Sequence, residues 1–366
     1  MDHRTPSRLR RALTCALAAT AVATGVSAAP ASAAPVKSLE DDAMVLSDDQ
    51  ATRDRFWASA EALGVRQVRI LITWDAARTT IDDPSRIRLR RATEEANAHG
   101  IRPLIGLFAP FSKAKGVSRS KVLKVIKAYR PYAESLAASV ADLQVAGYIT
   151  WNEPNWPSQW PHKYPQLWAK ASNAGYAGYK AGDPDGPVLV GEFSPYASSK
   201  SVYDPGDFLR RALCLTSGYQ RLAKSRRSKD CQTKVRGDAI GIHPYDFLKK
   251  PMAKPKSKDV WTIANLAEAK RAWRKAANRG AVDKKATKDF RITEFAFLTA
   301  GKKKISTTRA AKYLASAWKI AKRERVTSFS WYQLQDPVDP KTGWQSGLLN
   351  RLGAERKTYK VFAGLK

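Results

Sequence analysis

Short apolar runs alternate with amphipathic segments along most of this chain. The run at 67–74 has the apolar content of a buried strand, and residues 52–63 place Phe56, Trp57, Ala60 and Leu63 on one face of a helix that Gly64 would end. The predicted strands are 43–47, 67–74, 102–108, 145–151, 187–192, 239–243, 290–295 and 327–334. The predicted helices are 52–63, 85–99, 121–142, 164–181, 207–213, 262–279, 308–325 and 355–363.

Eight strand–helix units in succession predict an α/β fold with a parallel sheet that helices cover on its outer face. Eight such units in roughly 250 residues or more are typical of a (β/α)8 TIM barrel. The sequence therefore predicts one barrel domain. The alternative is a doubly wound open sheet, but no glycine-rich phosphate loop follows the first strand.

The first 33 residues have the pattern of a secretory signal peptide. Four arginines precede an apolar run at 12–26, which is too short for a stable membrane span, and residues 31–33 (ASA) form a small-residue cleavage site. A lipoprotein anchor at Cys15 is the weaker alternative. We expect a secreted, extracellular protein with the barrel domain at 34–366, no membrane attachment after cleavage, and a monomeric state.

Cleavage would leave two cysteines, Cys214 and Cys231, in an oxidising compartment. We predict a disulfide between them, with two unpaired buried thiols as the alternative. No histidine or third cysteine is near them in sequence, so no metal site is expected, and no cofactor is expected either.

The chain is strongly basic: its 366 residues include 64 Lys and Arg against 33 Asp and Glu, for a formal net charge of +31. Such a surplus favours an anionic partner, such as an acidic glycan or a cell-wall polymer. The basic runs at 221–229, 249–258 and 302–304 fall near the loops after strands five to seven. No nucleic-acid-binding motif is present, so we predict no nucleic-acid partner.

Two glutamates, Glu153 and Glu294, end the fourth and seventh predicted strands. The carboxyl ends of barrel strands form the active site in this fold, and paired carboxylates are the groups that cleave an acetal. Taken alone, Asn-Glu-Pro at 152–154 is more typical of a helix start than of a catalytic site. The separation of the two glutamates by three strand–helix units favours the catalytic interpretation.

Four motifs in order resemble those of clan A glycoside hydrolases: 149–154 (ITWNEP), 241–245 (GIHPY), 292–295 (ITEF) and 330–332 (SWY). The family within the clan is not assigned. The resemblance implies that Glu153 is the general acid/base and that Glu294 is the nucleophile of a retaining glycosidase. It further implies that Asn152 binds the neighbouring sugar hydroxyl, Tyr245 donates to Glu294, His243 supports Glu153, Arg69 lies beneath Glu294, and Trp331 forms the floor of the subsite.

Residue chemistry agrees with this division. Arg69 and Tyr245 would favour ionised Glu294, whereas Glu153, between Trp151 and Trp156, would keep its proton. Glu192 also ends a strand, where we expect substrate contact or solvation. Six tryptophans near strand ends are candidates for stacking on sugar rings: Trp74, Trp151, Trp156, Trp160, Trp331 and Trp344.

The sequence thus favours a secreted retaining glycosidase that acts on a polysaccharide or oligosaccharide, possibly an anionic one. The second hypothesis is a catalytically inactive basic barrel that binds an anionic glycan or cell-wall polymer. The presence of both glutamates in register favours the enzyme.

Overall fold

Eight parallel strands form a closed barrel in a computed structural model of the chain. The structure describes residues 34–108, 111, 116–195, 202–232, 234–246, 249–301, 304–339 and 343–366. The proposed signal peptide therefore lies outside the described residues. From residue 34 onward the described chain is one compact unit.

The strands follow one another around the barrel in chain order, and the eighth pairs with the first. They are β1 Val36–Glu40, β2 Gln67–Thr73, β3 Arg102–Phe108, β4 Gly147–Ile149, β5 Val188–Phe193, β6 Ala239–Ile242, β7 Phe290–Phe295 and β8 Ser328–Tyr332. The α-helices of the described residues are α1 Asp42–Val45, α2 Gln50–Ala62, α3 Asp83–Ala98, α4 Arg119–Ala138, α5 Pro165–Gly182, α6 Pro205–Ala212, α7 Leu266–Asn278, α8 Thr307–Arg323 and α9 Lys357–Ala363. The predicted (β/α)8 barrel is confirmed.

One predicted strand is wrong. The apolar run at 43–47 lies mostly in the short helix α1, whose N-terminus is capped by the Asp41 side chain. The true first strand, β1, has the sequence VKSLE, in which charged residues interrupt the apolar ones. Only its last three residues are buried, so its sequence lacks the continuous apolar run of the central strands.

Local signals explain the other boundaries. Aspartate or serine side chains accept backbone N–H bonds at the starts of α2, α3, α4 and α8. Gly64 and Gly100 follow α2 and α3 at φ of +69° and +66°, in the left-handed region that favours glycine. These glycines turn the chain into the next strand.

A small apolar cluster is formed by side chains from the four consecutive strands β3 to β6: Leu104, Ile149, Leu189 and Ala239. A much larger apolar cluster fills the space between the strands and the outer helices. Because side chains alternate along a strand, each strand end presents one residue to the barrel mouth and the next to the helix layer. This alternation decides which of the predicted site residues can reach a ligand.

Cys214 and Cys231 form a disulfide with their Cα atoms 5.9 Å apart, as predicted. The bridge closes a loop between α6 and β6 that contains the basic run at 221–229. Within the described residues, no helix is both long enough and apolar enough to cross a membrane.

Candidate active site

A cavity of about 570 Å³ opens at the carboxyl ends of the strands. Its lining includes four carboxylates and four aromatic side chains. The lining residues are Glu40, Asp42, Ala43, Leu46, Leu71, Ile72, Thr73, Ser85, Arg88, Phe108, Asn152, Glu153, Tyr245, Glu294, Tyr332 and Trp344. The structure thus brings Asn152, Glu153, Tyr245 and Glu294 to one cavity.

Glu153 and Glu294 point into this cavity from opposite sides of the barrel mouth. A carboxylate oxygen of each lies within 4.8 Å of the other and of a ring nitrogen of His243. Glu153 follows β4 with φ of +40°, an uncommon backbone conformation for a non-glycine residue. Its backbone N–H donates to the backbone carbonyl of Glu192 at 3.0 Å, which ties the end of β4 to β5.

Arg69 on β2 is the buried centre of the polar network below the cavity. Its Nη1 lies 2.6 Å from Glu40 Oε1 and 3.5 Å from Glu294 Oε2. Its Nη2 donates to Asn152 Oδ1 and to Glu192 Oε2, each at 2.8 Å. The guanidinium therefore lies beneath Glu294 and is shared among three glutamates.

His243, just after β6, is fully buried and faces three carboxylates. Its Nδ1 lies 3.1 Å from Glu153 Oε1 and 3.8 Å from Glu294 Oε2, and its Nε2 lies 3.7 Å from Glu192 Oε2. The structure therefore places the imidazole beside Glu153.

The predicted partner of Tyr245 is wrong. Its hydroxyl donates to Glu153 Oε1 at 2.8 Å, not to Glu294. A tyrosine hydroxyl has one hydrogen, and here it is used on the same Glu153 oxygen that His243 contacts.

The predicted place of Trp331 is also wrong. Trp331 has 0% exposure, packs against Phe295 and Phe297, and donates its indole N–H to the Ser346 carbonyl. It lies on the outer face of β8, so its neighbour Tyr332 faces the cavity instead.

Trp344 supplies the cavity with an indole. It contacts the rings of Tyr245 and Tyr332 edge-on, with centroids 5.5 and 6.1 Å away. Trp156 is half-buried and is not among the described residues that line the cavity.

Three other candidate sugar platforms belong to the core. Trp74, Trp151 and Trp160 are buried, and their indole N–H groups donate to nearby backbone carbonyls. Trp74 and Trp160 both contact the ring of Trp151 edge-on. The rule that aromatic residues near strand ends meet sugars fails here because the outer helix layer needs large side chains at the same positions.

Comparison with known proteins supports the architecture. The barrel is similar to glycoside hydrolases of known structure. It matches a family 39 glycoside hydrolase from the gut symbiont Bacteroides cellulosilyticus WH2 with a TM-score of 0.59 and 17% identity, over 91% of this chain and 63% of that one. It matches the exo-beta-1,4-mannosidase from Opitutaceae bacterium strain TAV5 with a TM-score of 0.59 and 13% identity, over 91% and 59% of the two chains.

A third match is GH5_18 from Streptomyces cattleya in complex with GlcNAc, with a TM-score of 0.62 and 16% identity, over 90% of this chain and 79% of that one. This chain spans about 63% and 59% of the length of the first two proteins. No protein-family model and no curated protein matches the sequence. At these identities the likeness establishes the fold, so any activity must be argued from the site.

The electrostatics of the site differ from the sequence prediction for Glu294. Burial raises the pKa of Glu294, and the neighbouring Glu40 and Glu153 raise it further. The positive charges of His243 and Arg69 lower it, and the net result is a pKa of about 8. Arg69 lowers the pKa of Glu294 as expected, but Tyr245 donates to Glu153 instead, so the expectation that these two residues would keep Glu294 ionised is wrong. Several carboxyl groups compete for the same two cations.

The site holds Glu192 in its ionised form and His243 in its protonated form. Burial alone would raise the pKa of Glu192, but Arg69 and His243 outweigh it and lower the pKa to about 2. Burial likewise opposes protonation of His243, but Glu294, Glu153 and Glu192 raise its pKa to about 10. An ionised Glu192 therefore lies between two cations.

Two buried glutamates of the network were missed or misjudged from the sequence. Glu192 was expected to contact substrate or solvent, but its side chain has 0% exposure. Glu40 was not a candidate because β1 was misplaced. With the first strand placed at Val36–Glu40, Glu40 would have been its last residue and therefore a candidate for the barrel mouth. Glu40 aligns with Arg69 on β2.

Glu153, His243 and Glu294 are the one group of possible ligand side chains, in the part of the chain that the structure describes, that is close enough to surround a metal ion. An imidazole can bind a metal only through an unprotonated nitrogen. In the structure the Nδ1 atom of His243 lies 3.1 Å from Glu153 Oε1, and the surrounding carboxylates raise the pKa of His243 to about 10.

The described residues of the basic runs do not reach the cavity. Arg88 is the one cation among its described lining residues, and it is paired with Asp48. None of the described residues in the runs at 221–229, 249–258 and 302–304 lines it.

Proposed function

We propose that this protein is a retaining glycoside hydrolase that cleaves O-glycosidic bonds of a polysaccharide or oligosaccharide. The observation that carries the proposal is the close pair of carboxylates, with an oxygen of Glu153 within 4.8 Å of one of Glu294. Retaining enzymes hold these groups about 5 to 5.5 Å apart, whereas inverting enzymes need roughly 6.5 to 9.5 Å to admit water.

In the first step, ionised Glu294 attacks the anomeric carbon while Glu153 donates its proton to the leaving oxygen. The glycosidic bond breaks, and a glycosyl ester forms on Glu294. In the second step Glu153 removes a proton from water, the water oxygen attacks the anomeric carbon, and the ester bond to Glu294 breaks. The sugar leaves with its original anomeric configuration.

The contacts of Tyr245 and His243 to Glu153 fit its change of role from acid in the first step to base in the second. Tyr245 donates to Oε1, and His243 lies 3.1 Å from the same oxygen. With Oε1 held, Oε2 is left to carry the proton that moves to the leaving group and back. The two partners therefore orient the acid/base without occupying its reactive oxygen.

The cavity lining fits a neutral sugar better than an acidic one. Arg88 is the single cation among the described lining residues and is paired with Asp48, so these residues offer no unpaired positive charge to an anionic ligand. The Asn152 amide oxygen accepts from Arg69, so its NH₂ group remains to donate to a sugar hydroxyl. Tyr245, Tyr332 and Trp344 provide aromatic surface for the apolar face of a sugar ring.

We also propose that the protein acts outside the cell as a monomer. The predicted signal peptide and the Cys214–Cys231 bridge support export, because disulfides persist in oxidising compartments.

The test is hydrolysis by the chain from residue 34 on a panel of neutral and uronic-acid-containing polysaccharides, with Glu294→Gln as the blank. We expect cleavage of a neutral glycan, a retained anomer in the first product by proton NMR, and no turnover by the blank. Equal rates for wild type and blank would overturn the proposal. Tight binding to an acidic polymer without turnover would instead support the inactive basic barrel.

A further inference from the structure

An irregularity in the backbone of β5 determines where the Glu192 side chain points. Strand β5 shifts register against β6 between Gly191 and Phe193, as a β-bulge does, and Glu192 within it has φ of +54°. Bulges of this kind re-aim a side chain and occur next to active sites. The bulge directs a glutamate into the fully buried space below the cavity.

The neighbouring strand leaves room for this side chain. A Cβ atom added at Gly241 of β6 would lie 2.7 Å from Glu192 Cγ, closer than real side chains approach. Glycine at this position therefore makes the space that Glu192 fills. Two strands are adapted to hold one carboxylate that no solvent reaches.

The contacts of Glu192 lead to both halves of the proposed catalytic pair. Its Oε2 accepts from Arg69 Nη2 at 2.8 Å, and the same guanidinium lies 3.5 Å from Glu294. His243 Nε2 lies 3.7 Å from Oε2 on the other side, while Nδ1 faces Glu153. The backbone carbonyl of Glu192 also accepts from the Glu153 N–H.

A buried charge and a positive φ each cost free energy, so they persist only where other interactions compensate for that cost. Here two cations surround the carboxylate, and both cations continue to a reacting group. Stability alone would be served as well by an apolar side chain in this space.

We propose that Glu192 is a positioning residue for the reaction, which holds Arg69 beneath Glu294 and holds His243 against Glu153. The inference rests on the glycosidase function proposed above. Glu192 does not touch the cavity, so it acts through its two cationic partners.

Other groups lie against these two cations or against the carboxyl groups beside them. These groups, by strand, are Glu40 of β1 and Asp42 after it, Asn152 and Glu153 after β4, Tyr245 after β6, Glu294 of β7 and Tyr332 of β8. The pKa of Glu192 is lowered to about 2 by Arg69 and His243, so its carboxyl group keeps its negative charge at neutral pH.

The test compares Glu192→Gln with wild type and with Glu95→Gln. Glu95 also pairs with an arginine, Arg53 at 2.9 Å, but lies on the outer helices away from the cavity. We expect Glu192→Gln to lower kcat about 10- to 100-fold with little change in KM, because misplaced catalytic groups slow chemistry while the sugar contacts remain. Glu95→Gln should keep both constants.

A second readout is independent of turnover. Side-chain NMR titration of His243 should show its pKa falling by about 1 to 3 units in Glu192→Gln, because an adjacent negative charge is lost. This shift reports that the charge of Glu192 acts on His243, and the loss of kcat with KM unchanged in the folded protein separates a positioning role from one limited to stability. Should Glu192→Gln not fold, Gly241→Ala displaces the same carboxylate while keeping its charge, and should lower kcat in the same way.

The outcomes separate the two proposals. An active wild type together with full kcat in Glu192→Gln would overturn this inference, whatever the His243 pKa, and leave the glycosidase intact. A wild type that hydrolyses no glycan would overturn the proposed function, and this inference with it.

Discussion

Replacing Glu40 with glutamine tests the electrostatics of the proposed nucleophile. Glu40 and Glu294 contact the same Arg69 Nη1 at 2.6 and 3.5 Å, so the contacting oxygens lie no farther apart than the sum of these distances, about 6 Å. Two unit charges about 6 Å apart repel by about 3 kcal/mol at an effective dielectric constant of about 20. This repulsion corresponds to about 2 pKa units.

The sign of the effect follows from the raised pKa of Glu294. Its ionised form accumulates as the pH rises through about 8, and the pKa of Glu40 is raised to about 8 as well, mainly by burial. The full repulsion acts only when both groups are ionised. Glutamine at position 40 is neutral at every pH, so we expect the pKa of Glu294 to fall by about one to two units.

The assay is kcat/KM against pH, which reports ionisations of the free enzyme. The wild-type rate should rise with pH around a midpoint near 8, the raised pKa of Glu294, and the Glu40→Gln midpoint should lie about one to two units lower. At about pH 7 the variant should be about fivefold faster, since about half of its nucleophile is ionised against about a tenth in wild type. Glu95→Gln is the control and should keep the wild-type midpoint. An unmoved midpoint in Glu40→Gln would refute the reasoning.

Three further predictions concern stability and substrate. Replacing Cys214 and Cys231 with serine should lower the free energy of unfolding by about 3 kcal/mol, as expected for a bridge that spans 17 residues; equal denaturant midpoints would contradict this. Trp344→Ala should raise KM, whereas Trp331→Ala should lower the free energy of unfolding by about 3 to 5 kcal/mol with KM unchanged in the folded fraction; the reverse pattern would restore the predicted place of Trp331. Hydrolysis of a neutral glycan should change little between about 0.01 and 1 M salt, and a preferred acidic glycan whose cleavage slows with salt would contradict the assignment of a neutral substrate.

The barrel was predictable because its signals are local and repeated. Continuous apolar strands, helical spacing and glycines such as Gly64 and Gly100 each report one boundary, and eight repeats leave few alternatives. The first strand escaped because Val36–Glu40 mixes charged and apolar residues, and a more apolar stretch follows it directly.

The site was predictable only as far as strand ends identify it. Glu153, Glu294 and His243 follow from position, but the direction of a side chain depends on alternation and bulges that the sequence does not reveal. One residue of alternation separates buried Trp331 from Tyr332 in the cavity. The burial of Glu192 depends on the φ of its own backbone and on a glycine in the next strand. Such properties arise from tertiary contacts between distant segments.

The bulge at Glu192 has a consequence for how this protein can diversify. Glu192 and Gly241 constrain each other, because a side chain at 241 and a glutamate at 192 would occupy the same space. A residue larger than glycine at 241 therefore displaces the Glu192 carboxylate, so position 241 stays glycine for as long as position 192 is glutamate. A designer who transfers the two reacting glutamates to another barrel would have to graft the bulged strand and the facing glycine with them, as one inherited unit.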